Sequence, residues 1–413
     1  VKITTLSIGD ELIYGEVQDS NAASIAARLY NEGLKVQRHL AVGDSEPDIV
    51  EALQLLSEKS EAVIITGGLG PTVDDITARA AAKLAGRRLV LSEEALLHLK
   101  AVSEKLGGNV HPQNDKQALL PTKSTLIPNP LGTACGFYLT HNGHYLFFLP
   151  GVPAEMSRML DETVLPFILQ RAKHRRLIMT RRVKVFGISE AEIDFILKDL
   201  VKQGGGISLA FCVVFPEIFL TLRAEGERET EVTAMLQTYL EQLREKLRGY
   251  IYAEDEETMD SVVARMFREK GLSVAVAESC TGGLVAKRLT DIPGSSSYFR
   301  EGVISYSDAA KTNILQVPSE LISQHGAVSV EVAKAMAKGM RKLAGTDLAL
   351  AVTGIAGPDG GSEAKPVGTV FIALASSAGC QAKMYRFYGD RNEIRTITAF
   401  MAMDWLRRQL QLH

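Results

Sequence analysis

The chain is short of several residue types, and each shortage closes off a class of protein. It has four cysteines in 413 residues, Cys135, Cys212, Cys280 and Cys380, far apart and with no C-x-x-C pair. Neither a disulfide framework nor a zinc ribbon is expected, and a reducing cytoplasm is the expected compartment. Eight histidines include no H-x-x-x-H spacing. His141 and His144 flank Asn142–Gly143, which is turn chemistry rather than a metal site. No stretch approaches ~18 uninterrupted apolar residues, so no membrane span is expected. Val1–Gly9 lacks a basic region followed by an apolar one and reads as a strand running into a glycine turn. Positive charge is not in excess either: 46 Lys and Arg stand against 49 Asp and Glu, a formal net charge of −3. That excludes a nucleic-acid surface built on bulk charge. The dense basic run Lys173–His174–Arg175–Arg176, with Arg181–Arg182 after it, reads as a solvated segment at a domain junction.

What is present is an ordinary globular balance, 46% hydrophobic and 23% charged, with 35 glycines gathered in a few loops. At roughly 100–200 residues per domain, the length implies about two to four domains. Residues 1–170 alternate strand and helix signals, with strands expected at 3–8, 36–42 and 62–66 and helices at 20–30, 47–56 and 75–84. Such alternation predicts right-handed βαβ units and a mostly parallel sheet. A hairpin is expected through 138–149, and Pro153 at the first turn of a helix reaching 169. Residues 171–254 read as a small α+β module with a Gly204–Gly206 turn and a long charged helix over 230–247, suited to a linker or interface role. After the acidic break at Glu254–Glu257, a further α/β unit occupies 255–413.

The richest chemistry lies in that last unit. Ala277–Glu278–Ser279–Cys280–Thr281–Gly282–Gly283 follows a strand and precedes a helix. Such a turn exposes backbone N–H groups at a positive helix end, where an anion or developing oxyanion is stabilised. Ser279 there is either a helix N-cap, contributing roughly 1 kcal/mol, or a nucleophile. A serine nucleophile needs a base. His325 reads as a helix C-cap or surface residue, whereas Tyr306 and Lys311 follow the strand 302–305 and can share its crevice. A lysine of depressed pKa deprotonates serine in Ser–Lys hydrolases. The run from Thr353 through Gly354, Gly357 and Gly360 to Gly361 reads as a loop around a phosphate or as a tight turn, with Lys365 and Arg391 supplying positive charge.

In the N-terminal domain, three glycine-rich loops stand at strand ends: Gly9–Gly15 with Asp19–Asn21, Thr66–Thr77, and Pro128–Thr133. Loops at the carboxyl ends of parallel strands converge on a ligand crevice. Gly67, Gly68, Gly70 and Thr72 of the second loop and Asn129, Gly132 and Thr133 of the third are candidate substrate contacts. Asp74, Asp75 and Asp10 are candidate ligands for a hard divalent cation. Asp74 reads equally as a helix cap, and Asp10 with Glu11 can cap the first helix.

These motifs resemble the CinA (competence/damage-inducible protein A) family over the whole chain. In the C-terminal domain the resemblance rests on residues 277–283, Asp291–Ser296, Gly302–Lys311, His325–Ser329 and Thr353–Thr369. In the N-terminal domain it rests on the three loops, Lys116–Gln117–Ala118 and Leu149–Met156. Cys135 departs from the family pattern, where proline is usual. The resemblance implies a molybdopterin-binding-like three-layer domain at 1–170, a small KH-like α+β linker at 171–254 and a nicotinamide-nucleotide amidase domain at 255–413. It implies hydrolysis of nicotinamide mononucleotide to nicotinate mononucleotide and ammonia without a cofactor. Ser279 would be the nucleophile, Tyr306 and Lys311 the activating pair, and Thr281, Gly282, Gly283, Thr353, Gly354, Gly357, Gly360 and Arg391 the substrate contacts. For the N-terminal domain it implies hydrolysis of ADP-ribose to AMP and ribose 5-phosphate with a divalent metal (Co, Mn or Mg) and potassium. A homodimer is expected, with neither membrane nor nucleic acid as partner. Two other readings stand beside these: an N-terminal domain that binds a pterin or nucleotide without turnover, and an interaction factor in DNA uptake.

Overall fold

Residues 1–105, 112–172, 176–201 and 205–412 are described in a computed structural model. The basic run's Lys173–Arg175 and the Gly204 of the expected turn lie outside them. The chain divides into two compact units, Val1–Met179 with Glu225–Thr233, and Thr180–Ala224 with Ala234–His413.

The first unit runs β1 (Ile3–Ile8), α1 (Asp10–Ile13), α2 (Ser20–Asn31), β2 (Val36–Val42), α3 (Glu46–Ser57), β3 (Ala62–Thr66), α4 (Thr77–Leu84), β4 (Leu89–Leu91), α5 (Glu93–Lys105), β5 (Leu119–Pro121), β6 (Thr125–Ile127), β7 (Gly136–His141), β8 (His144–Leu149), α6 (Pro153–Met159) and α7 (Leu165–Arg171). Its six-stranded sheet has the order β2-β1-β3-β8-β7-β6. β2, β1, β3 and β8 are parallel, and the expected hairpin supplies the antiparallel β7. β3 is buried at all five residues because both faces are covered. Val63 and Ile65 enter one core with Ile49, Leu53 and Leu56 of α3. Ala62 and Ile64 enter the other with Ile25, Leu29, Met156 and Ile168. Each fully buried aliphatic side chain contributes about 1.5–3 kcal/mol. The helix expected over 153–169 passes through a π turn at Leu160–Val164, between α6 and α7.

The middle segment forms β9 (Leu177–Val185), α8 (Glu190–Val201), β10 (Ile207–Val214), β11 (Glu217–Gly226), α9 (Glu229–Lys246) and β12 (Ile251–Glu254), with sheet order β10-β11-β9-β12.

The remainder is α10 (Met259–Lys270), β13 (Val274–Glu278), α11 (Leu284–Thr290), β14 (Phe299–Ile304), α12 (Asp308–Leu315), α13 (Ser319–His325), α14 (Val330–Ala344), β15 (Leu348–Gly354), β16 (Thr369–Ser376), β17 (Gly379–Arg386) and α15 (Arg391–Leu412). The sheet order is β14-β13-β15-β16-β17, parallel across the first three strands and antiparallel beyond. Period-2 alternation separates two cores. Val274, Val276, Leu348, Leu350 and Val352 pack with α10 and α15. Ala275, Ala277, Ala349 and Ala351 meet Met336 and Met340 of α14. Alanines on that face let α14 lie close. Gly339 of α14 lies so close to the end of α12 that a Cβ there would stand 2.0 Å from Leu315 O.

Candidate functional sites

In the C-terminal sheet three parallel neighbours end at the same edge. Glu278 is paired with Ile304 on one side and Val352 on the other, so the residues that follow these three emerge side by side. These are Ser279, Ser305–Tyr306 and Thr353–Gly354. Ser279, Tyr306, Thr353 and Gly354, together with Asp308, Lys311, Ala327, Val328, Cys280, Ala356 and Arg391, line a cavity of ≈ 210 Å³.

Ser279 is not a helix cap. The N-cap of α11 is Gly283, in a left-handed conformation with φ 95, and Ser279 lies four residues ahead of it. Its side chain has no hydrogen-bond partner among the described residues, while Lys311 Nζ and the Tyr306 hydroxyl are bonded elsewhere. Lys311 lies on α12 with its side chain 2% exposed. Burial pulls its pKa below the ordinary lysine value, and the Asp308 carboxylate partly restores it. Its Nζ donates to Tyr306 O at 3.3 Å. Tyr306 is 61% exposed, and its hydroxyl accepts from Arg391 Nη2 at 3.2 Å. Arg391 also donates to Gly357 O at 2.5 Å, tying the glycine loop to the start of α15.

The helix end expected to attract an anion is already neutralised from within. Glu278, 1% exposed, accepts from the N–H groups of Gly283, Val285 and Ala286 at 3.0, 3.1 and 2.8 Å. Ser279 N–H goes to Val352 O and Gly282 N–H to Ser279 O. Beside them Cys280 is buried, and burial pushes its thiol up to about 12. Several expected contacts lie outside the cavity. Thr281 is fully buried, its Oγ1 lacks a partner, and its carbonyl accepts from Arg395. Gly282, Gly283, Gly357 and Gly360 do not line the cavity, whereas Thr353 and Gly354 do. Lys365 donates to His325 O at the end of α13 and is committed there. Asp308 was missed by sequence reasoning. It follows an evident strand, but its distance to Lys311 depends on α12, which the periodicity did not reveal.

The N-terminal sheet repeats the arrangement. The ends of β1, β3 and β8 are adjacent, with Ser7 paired to Thr66 and Thr66 to Leu149. Gly67, Gly68, Gly70, Asp74, Asp75 and Thr133 line a cavity of ≈ 450 Å³ together with Glu11, Asp44, Gln117 and Glu155. Gly67 is required here: at φ 103, a Cβ would stand 2.1 Å from Ile8 O.

The expected roles change in detail. Asp74 is not a cap, because α4 begins after Ile76 with no side-chain cap. Asp75 accepts from Thr72 N and Oγ1 at 2.8 and 2.5 Å, so Thr72 is a loop brace. Asp10 exchanges bonds with Asp44, Asp10 N to Asp44 Oδ2 and Asp44 N to Asp10 Oδ1, both 3.0 Å. It caps nothing, and Asp44 rather than Asp10 is on the cavity wall. Burial raises the Asp44 pKa, and Asp10, Glu11 and Asp74 add to the rise. Asn129 is fully buried and fully committed. It donates to Ala134 O and Glu155 Oε2 and accepts from Leu131 and Gly132 N–H, so it shapes the third loop instead of facing a substrate. Gly132 is where Glu155 packs, 2.4 Å from a hypothetical Cβ.

Among the described residues no three His, Cys, Asp or Glu side chains have metal-ligand spacing. These carboxylates do not form a ready cage. An ion of the magnesium kind needs only one or two carboxylates, with water or phosphate completing its shell. Among the described residues no helix is long and apolar enough to cross a membrane.

Comparison with known proteins covers the chain in three pieces. A probable molybdopterin binding domain matches residues 4–170, the damage-inducible protein CinA KH domain residues 180–253, and the CinA C-terminal domain residues 256–410. A CinA-like protein of Geotalea uraniireducens is 63% identical over 410 residues, covering 99% of this chain and 98% of that one. Another, from Geobacter metallireducens, is 57% identical over 413 residues and covers 100% of both. A solved CinA superfamily protein from Klebsiella pneumoniae is 35% identical, covering 38% of this chain and 97% of its own, at a TM-score of 0.37. The competence/damage-inducible protein of Agrobacterium tumefaciens is 41% identical over 38% of this chain and 97% of its own, at 0.36. Mixed α/β sheets therefore build a molybdopterin-binding-like domain, a KH linker and a CinA C-terminal domain, and the chain belongs to the CinA family.

Proposed function

We propose that the chain is a two-site nucleotide hydrolase whose C-terminal domain is a serine amidase. The observation that carries this is the buried Lys311 sharing one cavity with Ser279, Tyr306 and Arg391. A lysine held at depressed pKa presents a larger neutral fraction, and the neutral amine is the base a serine needs. In the proposed first step Ser279 Oγ forms a bond to the carboxamide carbon, the carbonyl π pair moves to oxygen, and the hydroxyl proton passes to Lys311 Nζ. Lys311 then returns that proton to the amide nitrogen as the C–N bond breaks and ammonia leaves. Water attacks the acyl-enzyme, and its proton travels through Lys311 back to Ser279 Oγ. The Arg391 guanidinium supplies charge for a phosphate, and its bond to Tyr306 holds the phenol at the mouth. Nicotinamide mononucleotide suits such a site because its pyridinium charge makes the amide more electrophilic. Ammonia release from that nucleotide is the test. Ser279→Ala should lose it while melting as wild type does, and full activity in that variant would sink the proposal.

For the N-terminal domain we propose hydrolysis of ADP-ribose to AMP and ribose 5-phosphate. Support comes from the convergence of the glycine loop and five carboxylates, Glu11, Asp44, Asp74, Asp75 and Glu155, on one cavity. A divalent ion brought with the diphosphate would neutralise its charge. AMP formation with Co, Mn or Mg present is the assay. A second reading, binding of a pterin or nucleotide without turnover, is favoured by the lack of a three-ligand cage among the described residues. It predicts binding and no AMP under any metal. A cytoplasmic homodimer completes the proposal, with sedimentation at several concentrations as its check.

A further inference from the structure

A second cavity adjoins the acidic one and differs from it in character. It measures ≈ 240 Å³ and shares Gly68, Leu69, Gly70, Asp75 and Gln117 with its neighbour. Its other walls include Ile76, Ala78, Leu89, Leu119 and Leu120. Drug-sized ligands fill about 300–1,000 Å³, so this space suits one ring system rather than a whole nucleotide.

The polar side chains on its wall are accounted for, with one exception. Asp75 is bonded to Thr72. Arg79 pairs with Glu46. Lys116 donates to Thr72 O. Cys135 is neutral, its thiol pushed up to about 12 by burial. Gln117 remains: it is 8% exposed, and its Oε1 is buried without a protein partner. A buried carbonyl oxygen left unpaired is unfavourable, and a ligand N–H that reaches it removes the deficit. Gln117 also belongs to the family-like Lys116–Gln117–Ala118 motif, to which the reaction assigns no task.

We infer that the apolar cavity holds the base of a purine nucleotide and that Gln117 determines its specificity by accepting from the exocyclic amino group. The inference rests on the N-terminal domain's taking a nucleotide. The apolar walls receive the faces of the ring, the Gly68–Gly70 backbone leads the phosphates out, and the acidic cavity receives them. Adenine carries an N–H₂ edge, whereas hypoxanthine presents a carbonyl that repels the Gln117 oxygen unless its amide turns. A site built to bond a ligand N–H rejects the analogue lacking it, because the buried partner is then left unpaired.

The test is calorimetric binding of AMP, IMP and ribose 5-phosphate to the full chain without metal. Wild type should bind AMP about tenfold or more tightly than IMP. Gln117→Leu, close in size, should bring the two within about twofold and leave ribose 5-phosphate unchanged. Ala78→Phe, which fills the apolar cavity from its wall and leaves the Gln117 side chain in the sequence, should weaken AMP and spare ribose 5-phosphate. An AMP preference that survives Gln117→Leu overturns the inference, as does equal loss of AMP and ribose 5-phosphate in both variants. Tighter binding of 6-hydroxymethylpterin than of AMP, with the same Gln117 dependence, replaces the purine by a pterin and overturns it as stated. Failure of the hydrolysis proposal is separate: no AMP from ADP-ribose, with the base preference intact, removes turnover and leaves the base site standing.

Discussion

Lys311 Nζ stands 3.7 Å from Asp308 Oδ1, one turn earlier on the same helix, with the lysine side chain 2% exposed and the aspartate 62% exposed. Burial favours the neutral amine and the aspartate favours the ammonium, and burial prevails. The pair sets the charge balance of the proposed base.

Asp308→Asn should therefore move the acid limb of the amidase pH profile to lower pH. The neutral amine is the proposed base, so rate rises with pH through the Lys311 pKa. Asp308 raises that pKa, and its removal lowers it. Initial rates of ammonia release across pH check the direction. A limb that stays in place would separate Lys311 from the limiting ionisation.

Lys311→Met should abolish turnover and raise stability, by about 1 kcal/mol or more, because an apolar side chain of similar length escapes the desolvation penalty. The folded pKa lies below the unfolded value. The penalty is thus complete at pH below the folded pKa and shrinks as pH rises toward the unfolded one. Thermal melts at several pH values should show the stabilisation fading as pH rises.

Glu278→Gln should cost about 1.5–3 kcal/mol, since a charged acceptor serves three N–H groups at the start of α11. The loss is read from the denaturant midpoint at unchanged slope. Because Ser279 follows directly, ammonia release should fall as well.

Gly67→Ala should cost about 3 kcal/mol or more through strain at φ 103 and a Cβ 2.1 Å from Ile8 O. Nucleotide binding at the acidic N-terminal cavity should be lost with it. A variant of wild-type stability and affinity would refute the tight approach of the two strands' ends.

Thiol labelling should distinguish the four free cysteines. Cys212 is exposed, whereas Cys135 and Cys280 are buried with thiols pushed up to about 12. One thiol per chain should react rapidly at neutral pH, assigned to Cys212 by its loss in Cys212→Ser, with Cys380 slower and the other two last.

Much of the frame was legible because its signals are local. Five-residue runs such as Ala62–Thr66, followed by Gly67 and Gly68, mark buried strands entering tight turns, and helix α2 carries its own apolar stripe. Of the helices that escaped, α5 and α12 lie where polar and small residues blur the period, whereas α14 carries a plain helical stripe of Val332, Ala333, Met336, Ala337 and Met340. Their helices are stabilised by packing, as when the alanine face of β13 and β15 receives α14.

The sites divide in the same way. Ser279 after a strand, glycines after β3 and β15, and a lysine and tyrosine after β14 are properties of short segments, legible in the order of residues alone. That Ser279, Lys311 and Arg391 share a cavity follows from the strand order β14-β13-β15, which is non-local pairing. That Lys311 is desolvated, that Glu278 consumes the helix end, and that Asn129 and Thr72 are braces depend on which groups the fold brings within hydrogen-bond reach. Burial and partnership belong to the surroundings of a residue, and those surroundings exist once the chain has folded.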